Sequence, residues 1–490
     1  MPTQSTRSTE TPARTPSLRG CRPALALLAA AALTACSVGP DYVRPAAPAG
    51  ALSTSFKEAG DWKRAVPSQI DARSPWWQRF GDPALDELVA QANQANQSLA
   101  QAAAQYRQAS ALIQAAEAAG MPTLGLSSTS VHERSNTNGI YEGYAHNTSL
   151  QAAWEPDLWG RVSRSVEAAQ AGAQASAADL AGARLSVQAT VVNSYLQLRV
   201  DDALLALYAR TVQGYDKALQ LTRSQQRAGV ASLSDVSLAE ATLRSAQAAA
   251  TDLQLARQQL EHAIAVLVGR TPSEFSVAAW PEDRAEQGLP VPPAVPGLLP
   301  SELLERRPDI AGAERRVAVA NANIGIAESA WYPQLGLTAS AGSSGVGLGN
   351  WFAAPYRIWA VGAQVAATLY DGGLRQSQDV QAQAAFEAAA ANYRQVVLAG
   401  FQEVEDNLAA QRELAREREQ LEAAAAAARR AEQVLMSQYR AGTATYLAVI
   451  TAQSLTLGNQ RAALQVRARQ LGATVTLIKA TGGGWTSQQD

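Results

Sequence analysis

Apolar residues recur every seven positions near the end of the chain, at Ile450, Leu457, Leu464, Leu471 and Ile478. Ala246, Leu253, Leu260 and Leu267 repeat that spacing earlier. A sustained seven-residue stripe predicts a long helix packed against a neighbour, as in coiled coils and helix bundles. A different period governs 358–370. There Trp359, Val361, Ala363, Val365, Ala367 and Leu369 fall on one face. Gly362, Gln364, Thr368 and Tyr370 fall on the other, with Ala360 and Ala366. Period two predicts a strand that is apolar on one side and small or polar on the other. Transmembrane β-strands and half-buried soluble strands both read this way.

The remaining pattern divides into elements. Residues 37–75 hold Pro40, Pro45, Pro48 and Pro67 with little periodicity and read as an extended tether. Asp82 followed by Pro83 predicts the N-cap of a helix over 84–119, which stops at Gly120-Met121-Pro122. Strands are predicted at 123–131 and 147–155, with Asn136, Asn138 and Gly139 in the loop between them. No proline occurs between Gly160 and Pro272, so 161–228 reads as one helix of roughly 100 Å. Gly229 breaks it, and a second helix covers 233–268. A proline-rich connector follows at 271–300. The pattern then restarts: helix 301–330, strands 334–342 and 358–370, helix 374–440, a turn at Gly442, helix 446–480.

That restart is an internal duplication at an offset of roughly 212 residues. Pro122, Leu124, Gly125 and Leu126 are answered by Pro333, Leu335, Gly336 and Leu337. Asp157-Leu158-Trp159-Gly160-Arg161 is answered by Asp371-Gly372-Gly373-Leu374-Arg375, and Arg227-Ala228-Gly229 by Arg440-Ala441-Gly442. The organisation is a leader over 1–35, a tether over 36–83, a first repeat over 84–270, a connector over 271–300, a second repeat over 301–481 and a tail over 482–490. The predicted fold is mainly α with a small β part. Four strands cannot close a membrane barrel, since the smallest have about eight. Open edges are not tolerated in lipid, so membrane strands here require an oligomer that pools them.

Composition narrows this picture. The 490 residues carry 41 Lys+Arg and 43 Asp+Glu, a formal net charge of −2 that implies no nucleic-acid partner. Arg7, Arg14, Arg19 and Arg22 precede the apolar stretch Leu25–Leu33, which is too short to span a bilayer as a helix. Leu33-Thr34-Ala35-Cys36 then matches a bacterial lipobox, which predicts cleavage before Cys36 and a covalent lipid on its thiol. Cleavage removes Cys21, so the mature chain has one cysteine and no internal disulfide. Ser37 is permissive for the outer membrane, because an aspartate there retains enteric-type lipoproteins at the inner membrane.

No catalytic constellation is visible. The three histidines are His132 and His146, in or beside the first strand loop, and His262, beside Glu261 on a helix. The Glu261-His262 pair reads as a solvated helix face, and no metal-ligand spacing supports a site. There is no phosphate-binding loop, and no cofactor is expected apart from the lipid on Cys36.

Five ordered motifs resemble the TolC-like outer-membrane efflux proteins, in the lipoprotein branch that serves RND pumps. They are Cys36-Ser37-Val38-Gly39-Pro40-Asp41-Tyr42 with Arg44-Pro45; Trp76-Trp77 to Asp82-Pro83; Trp154 to Arg161; Leu304-Glu305-Arg306-Arg307-Pro308-Asp309-Ile310; and Gly482-Gly483-Gly484-Trp485. The resemblance covers essentially the whole mature chain. It implies a homotrimer in which twelve strands form one outer-membrane barrel and twelve helices a periplasmic tunnel. It also implies a passive exit duct that meets a periplasmic adaptor and an inner-membrane RND transporter. A type I protein-secretion duct and a structural envelope lipoprotein are the alternatives. The lipobox and the glycine-rich end favour the efflux branch.

The resemblance also places a gate at the two helix turns. Arg227, Gly229, Arg440 and Gly442 would form the adaptor-docking tips. Asp235 would be a gate acid, Tyr439 a gate tyrosine and Leu447 a constricting apolar position. Ala448 and Thr451 stand where relatives often carry aspartates, so the second half should lack an acid ring. Trp154, Trp159, Tyr356 and Trp359 lie near strand ends, where an aromatic girdle or packing at the strand–helix junction would use them.

Overall fold

A computed structural model describes residues 38–48, 56–59, 75–135, 141–281, 284–285, 289–293, 306–346 and 354–483. The first repeat contains α1 (Pro83–Ala95), α2 (Gln97–Ala118), β1 (Thr123–Ser135), β2 (Tyr141–Trp154), α3 (Arg161–Arg227) and α4 (Leu233–Leu267). The second contains α5 (Pro308–Ser329), β3 (Gln334–Val346), β4 (Arg357–Ala366), α6 (Leu374–Arg440) and α7 (Tyr446–Ala480). Leader, lipobox cysteine and final Gly484-Trp485 lie outside the described residues.

The repeats match closely in length. α3 and α6 each have 67 residues, α4 and α7 each have 35, and α2 and α5 each have 22. The helix predicted over 84–119 is interrupted, because Asn96 takes an extended conformation at ψ 124°. Its side chain accepts from the Leu99 N–H at 3.1 Å and donates to the Leu267 carbonyl at 2.8 Å. One residue thus caps α2 and holds the end of α4. The first hairpin is longer than the sequence predicts, while β4 stops at Ala366 and leaves 367–370 outside the strand.

The chain divides into two units: residues 1–42, 114–168 and 321–383, and the remainder. The first holds an antiparallel sheet in the order β1-β2-β3-β4, so the two repeats' hairpins join through β2 and β3. Paired residues share a face. Leu126, Leu150, Ala341 and Trp359 form one such row, followed by Leu124, Ala152, Ala339 and Val361. Trp359, Val361, Leu124 and Leu126 are all exposed. The other face presents Thr123, Gly125, Ser127, Asn147, Gln151, Gln334, Thr338 and Gln364. Apolar on one side and small or polar on the other is the pattern of a membrane barrel wall.

Indole hydrogen bonds fasten the start of each hairpin. Trp154 donates to the Gly120 carbonyl at 2.9 Å, and Trp159 donates to the Pro333 carbonyl at 2.6 Å and stacks on Tyr332. Trp159 is therefore junction packing. The chain segment after the lipobox docks in this same unit. Val38 N–H donates to the Trp159 carbonyl, and the buried Arg164 donates to the carbonyls of Val38 and Gly39 and to Asp41. Gly39 needs its φ of +95° here, and a Cβ on it would sit 2.4 Å from the Gly325 Cα.

The second unit packs helices around a core that includes Leu85, Val89, Val191, Tyr195, Ile264, Leu471 and Val475. The sevenfold stripe faces inward: Ala246, Ile450, Leu471 and Ile478 are buried. Two segments outside the long helices are strapped onto them by charge. In the first repeat Asp202, 2% exposed, accepts from Arg199 at 2.9 Å and Arg257 at 2.7 Å. Those arginines donate to the carbonyls of Ala278 and Val277, and Glu261 accepts the Val277 N–H. Glu261 is thus a connector clamp, which corrects its reading as a solvated helix face. In the second repeat the Glu405 carboxylate accepts the N–H groups of Lys57 and Glu58, while Arg412 pairs with Glu58 at 2.8 Å.

Candidate functional site

The turns at 228–232 and 441–445 are built alike. Both long helices end in a Schellman closure, in which a left-handed glycine ends the helix and two N–H groups turn back onto the last carbonyls. Gly229 has φ +73° and donates to the Gln226 carbonyl, and Val230 donates to the Gln225 carbonyl. Gly442 has φ +77° and donates to the Tyr439 carbonyl, and Thr443 donates to the Gln438 carbonyl. A Cβ would meet open space at both glycines, so the requirement is purely conformational. Arg227, Gly229, Arg440 and Gly442 are all exposed, as are the apolar Val230, Leu233 and Leu447. A solvent-facing tip with apolar side chains is suited to docking another surface.

The two turns differ at the following helix. Ser232 caps α4 in a full capping box: its hydroxyl accepts the Asp235 N–H at 3.2 Å, and the Asp235 carboxylate accepts the Ser232 N–H at 3.0 Å. Leu233 and Tyr446 begin equivalent helices, so Asp235 corresponds to Ala448. Thr445 caps α7 through its hydroxyl with the Ala448 N–H at 3.4 Å, and no carboxylate answers back. Asp235 is thus both the N-terminal acid of a helix and the only acid in the first turn of either α4 or α7.

Tyr439 lies within reach of the Asp235 charge. Tyr439 is 5% exposed and packs with Tyr446, Tyr208 and Tyr215 where the two helix pairs meet. Its hydroxyl bonds the Thr222 hydroxyl at 3.1 Å, and its ring lies 5.5 Å from that of Tyr446. Burial raises the Tyr439 hydroxyl above its ordinary value and pushes Tyr446 up to about 12; the charge of Asp235 adds to both. Both hydroxyls therefore stay protonated donors at physiological pH. Leu447 and Thr451 point away from this cluster. Leu447 is 62% exposed, and the Thr451 hydroxyl donates to its own helix at the Leu447 carbonyl. Sequence reasoning missed Thr222, since a lone threonine on a long helix carries no local signal. It also missed a surface latch in the first repeat, where Glu240 pairs with Arg223 at 3.3 Å and Arg244 at 3.9 Å. Among the described residues no cluster of His, Cys, Asp and Glu could hold a metal, and no helix is long and apolar enough to cross a membrane.

Known proteins are similar to this chain. The sequence model of the family described as Outer membrane efflux protein matches residues 88–270 and 299–483. The toluene efflux pump outer membrane protein TtgC of Pseudomonas putida is 31% identical over 469 residues, spanning 93% of this chain and 94% of that protein. The pyoverdine export outer membrane protein OpmQ of Pseudomonas aeruginosa is 30% identical over 457 residues, spanning 89% of this chain and 94% of that protein. The structure of the outer-membrane channel OprN superposes with a TM-score of 0.81 at 29% identity, covering 92% of this chain and all of OprN.

Proposed function

The chain belongs to the outer membrane efflux protein family, and from that membership we propose that it is the exit duct of a tripartite RND-type pump. The observation that carries this reading is one polypeptide with both a four-stranded wall, apolar on one face, and two helix pairs of equal length ending in matched exposed turns. The wall's outer strands, β1 and β4, each have one paired neighbour. Since lipid does not tolerate an open edge, three chains would close the sheet into a twelve-stranded barrel. Each contributes two helix pairs to a twelve-helix tunnel.

The duct is passive and works as a gate. Tyr439, Thr222 and Tyr446 hold the two helix pairs together at the closed tip, and opening separates them. The exposed apolar tips at Val230, Leu233 and Leu447 and the flanking Arg227 and Arg440 receive a periplasmic adaptor. The inner-membrane transporter supplies energy and chooses the cargo. Relatives named for toluene and for pyoverdine support that division, because similar chains serve dissimilar molecules. Cys36 carries the lipid: Val38, two residues on, is held at the Trp159 carbonyl beside the end of β2, within reach of the membrane.

Susceptibility of a deletion strain tests this reading. Wild type should restore resistance to a broad set of toxic compounds. A G229A/G442A variant present at the surface in equal amount should not. Full rescue by that variant, or no sensitisation on deletion in a strain without redundant channels, overturns the proposal.

A further inference from the structure

The sheet sorts its charges by face. Every basic side chain of the described strands lies on the apolar-bearing face: His132, Arg134, His146 and Arg357. The opposite face holds one charged group among the described side chains, Glu133. Arg134 is matched by Glu142 at 3.7 Å. Arg357 is exposed and makes no hydrogen bond or ion pair among the described residues. It begins β4, one alternation beyond Trp359, where the outward apolar stripe ends. Its row passes through Ser343, which is 4% exposed, to Thr148 and Ser128, whose hydroxyls are bonded at 2.8 Å. That places a guanidinium and the Thr148–Ser128 hydroxyl pair at opposite ends of a row about 14 Å wide, directly above the apolar row of Trp359, Ala341, Leu150 and Leu126.

We propose that Arg357 and the Thr148–Ser128 hydroxyl pair bind the phosphorylated sugar headgroup of an outer-leaflet lipid; the inference rests on reading the sheet as a membrane barrel. A guanidinium matches phosphate oxygens in bidentate fashion, and hydroxyls match a sugar. An arginine on the lipid face is costly at the bilayer midplane and nearly neutral at the interface, which fits the stripe's upper edge. Acyl chains would lie on Trp359, Val361 and Val365 below it. That continuity selects a lipid over a soluble phosphate.

Native mass spectrometry of the full-length trimer from nanodiscs tests it. The discs contain phosphatidylcholine with either diphosphoryl lipid A or the same lipid with both phosphates removed. Wild type should retain the phosphorylated form roughly tenfold better. R357Q should lose the preference, and R357K should keep part of it. Equal retention of the two lipids by wild type, an unchanged preference in R357Q, or displacement by millimolar inorganic phosphate overturns the inference. A chain that fails to enter discs as a trimer would instead overturn the barrel reading.

Discussion

At the residue scale, several side chains are fasteners whose value lies in what they hold. Arg164 is 6% exposed and binds two carbonyls and two carboxylates. Arg164→Ala should free residues 38–48, seen as a large gain in protease cleavage there with the helices still folded. Asp157 and Asp371 cap α3 and α6. Burial pushes the Asp157 carboxyl up, but the Ser163 hydroxyl, the Val162 and Ser163 N–H groups and the Arg161 charge hold it below its ordinary 3.8. The hydrogen bond from Arg375 does the same for Asp371, against burial, with help from backbone N–H groups. Depressed carboxyls contribute stability that is complete above the unfolded value and lost as pH falls through the lower folded one. Acid should therefore loosen both helix starts below about pH 4, and a D157N/D371N variant should show a shallower acid transition by circular dichroism. Asp235 is the sole acid in the first turn of the helices after the two tips, so if these tips are the proposed gate, cation preference in planar bilayers should be weak and D235N should lower it further. A strong preference that survives D235N contradicts a single-ring gate. The glycine turns and Asp82-Pro83 were legible from the sequence because their chemistry is local. Arg164 was not, because the segment it fastens, at Val38, Gly39 and Asp41, lies more than a hundred residues away.

At the element scale, the duplicated helices agree in length but not in what is strapped to them. The first pair uses Arg199, Asp202, Arg257 and Glu261 to hold the connector. The equivalent positions of the last three are Ala415, Gln470 and Thr474, and that pair holds the tether through Glu405 and Arg412. Asp202→Ala would leave the buried Arg199 guanidinium without its carboxylate and the half-buried Arg257 with Glu261 alone, at a cost of about 3–5 kcal/mol. It should release 275–281 to protease and lower thermal stability, whereas Glu240→Gln at the exposed latch should change stability by less than about 1 kcal/mol. The seven-residue stripe revealed the helices before any contact was known. The straps were illegible because segments this short and irregular show no period, and their hold comes from charges spaced along someone else's helix.

At the scale of the whole molecule, the open edges of β1 and β4 carry the assembly prediction. Paired cysteines, one on β1 and one on β4 of each chain, in a Cys21→Ser/Cys36→Ser background, should give disulfides that join separate chains into a trimer ladder. Bonds confined to one chain would argue against a pooled barrel. The need for pooling was legible from four strands and a period of two, while the β2–β3 pairing that makes one wall from two hairpins was not, since it spans the first repeat's long helices. The matched helix lengths bear on how such a chain can change. Arg161 answers Leu374 and Leu233 answers Tyr446, both at an offset of 213, while Gln97 answers Pro308 and Thr123 answers Gln334 at 211. The two-residue slip accumulated between β1 and α3, where loops absorb it, and none survived within the arms. An insertion of one heptad in α6 and α7 alone would leave alternate turns protruding by about 10 Å. Lineages can therefore lengthen this reach only by coordinated edits in four helices at once, so the arms behave as one ruler of fixed length.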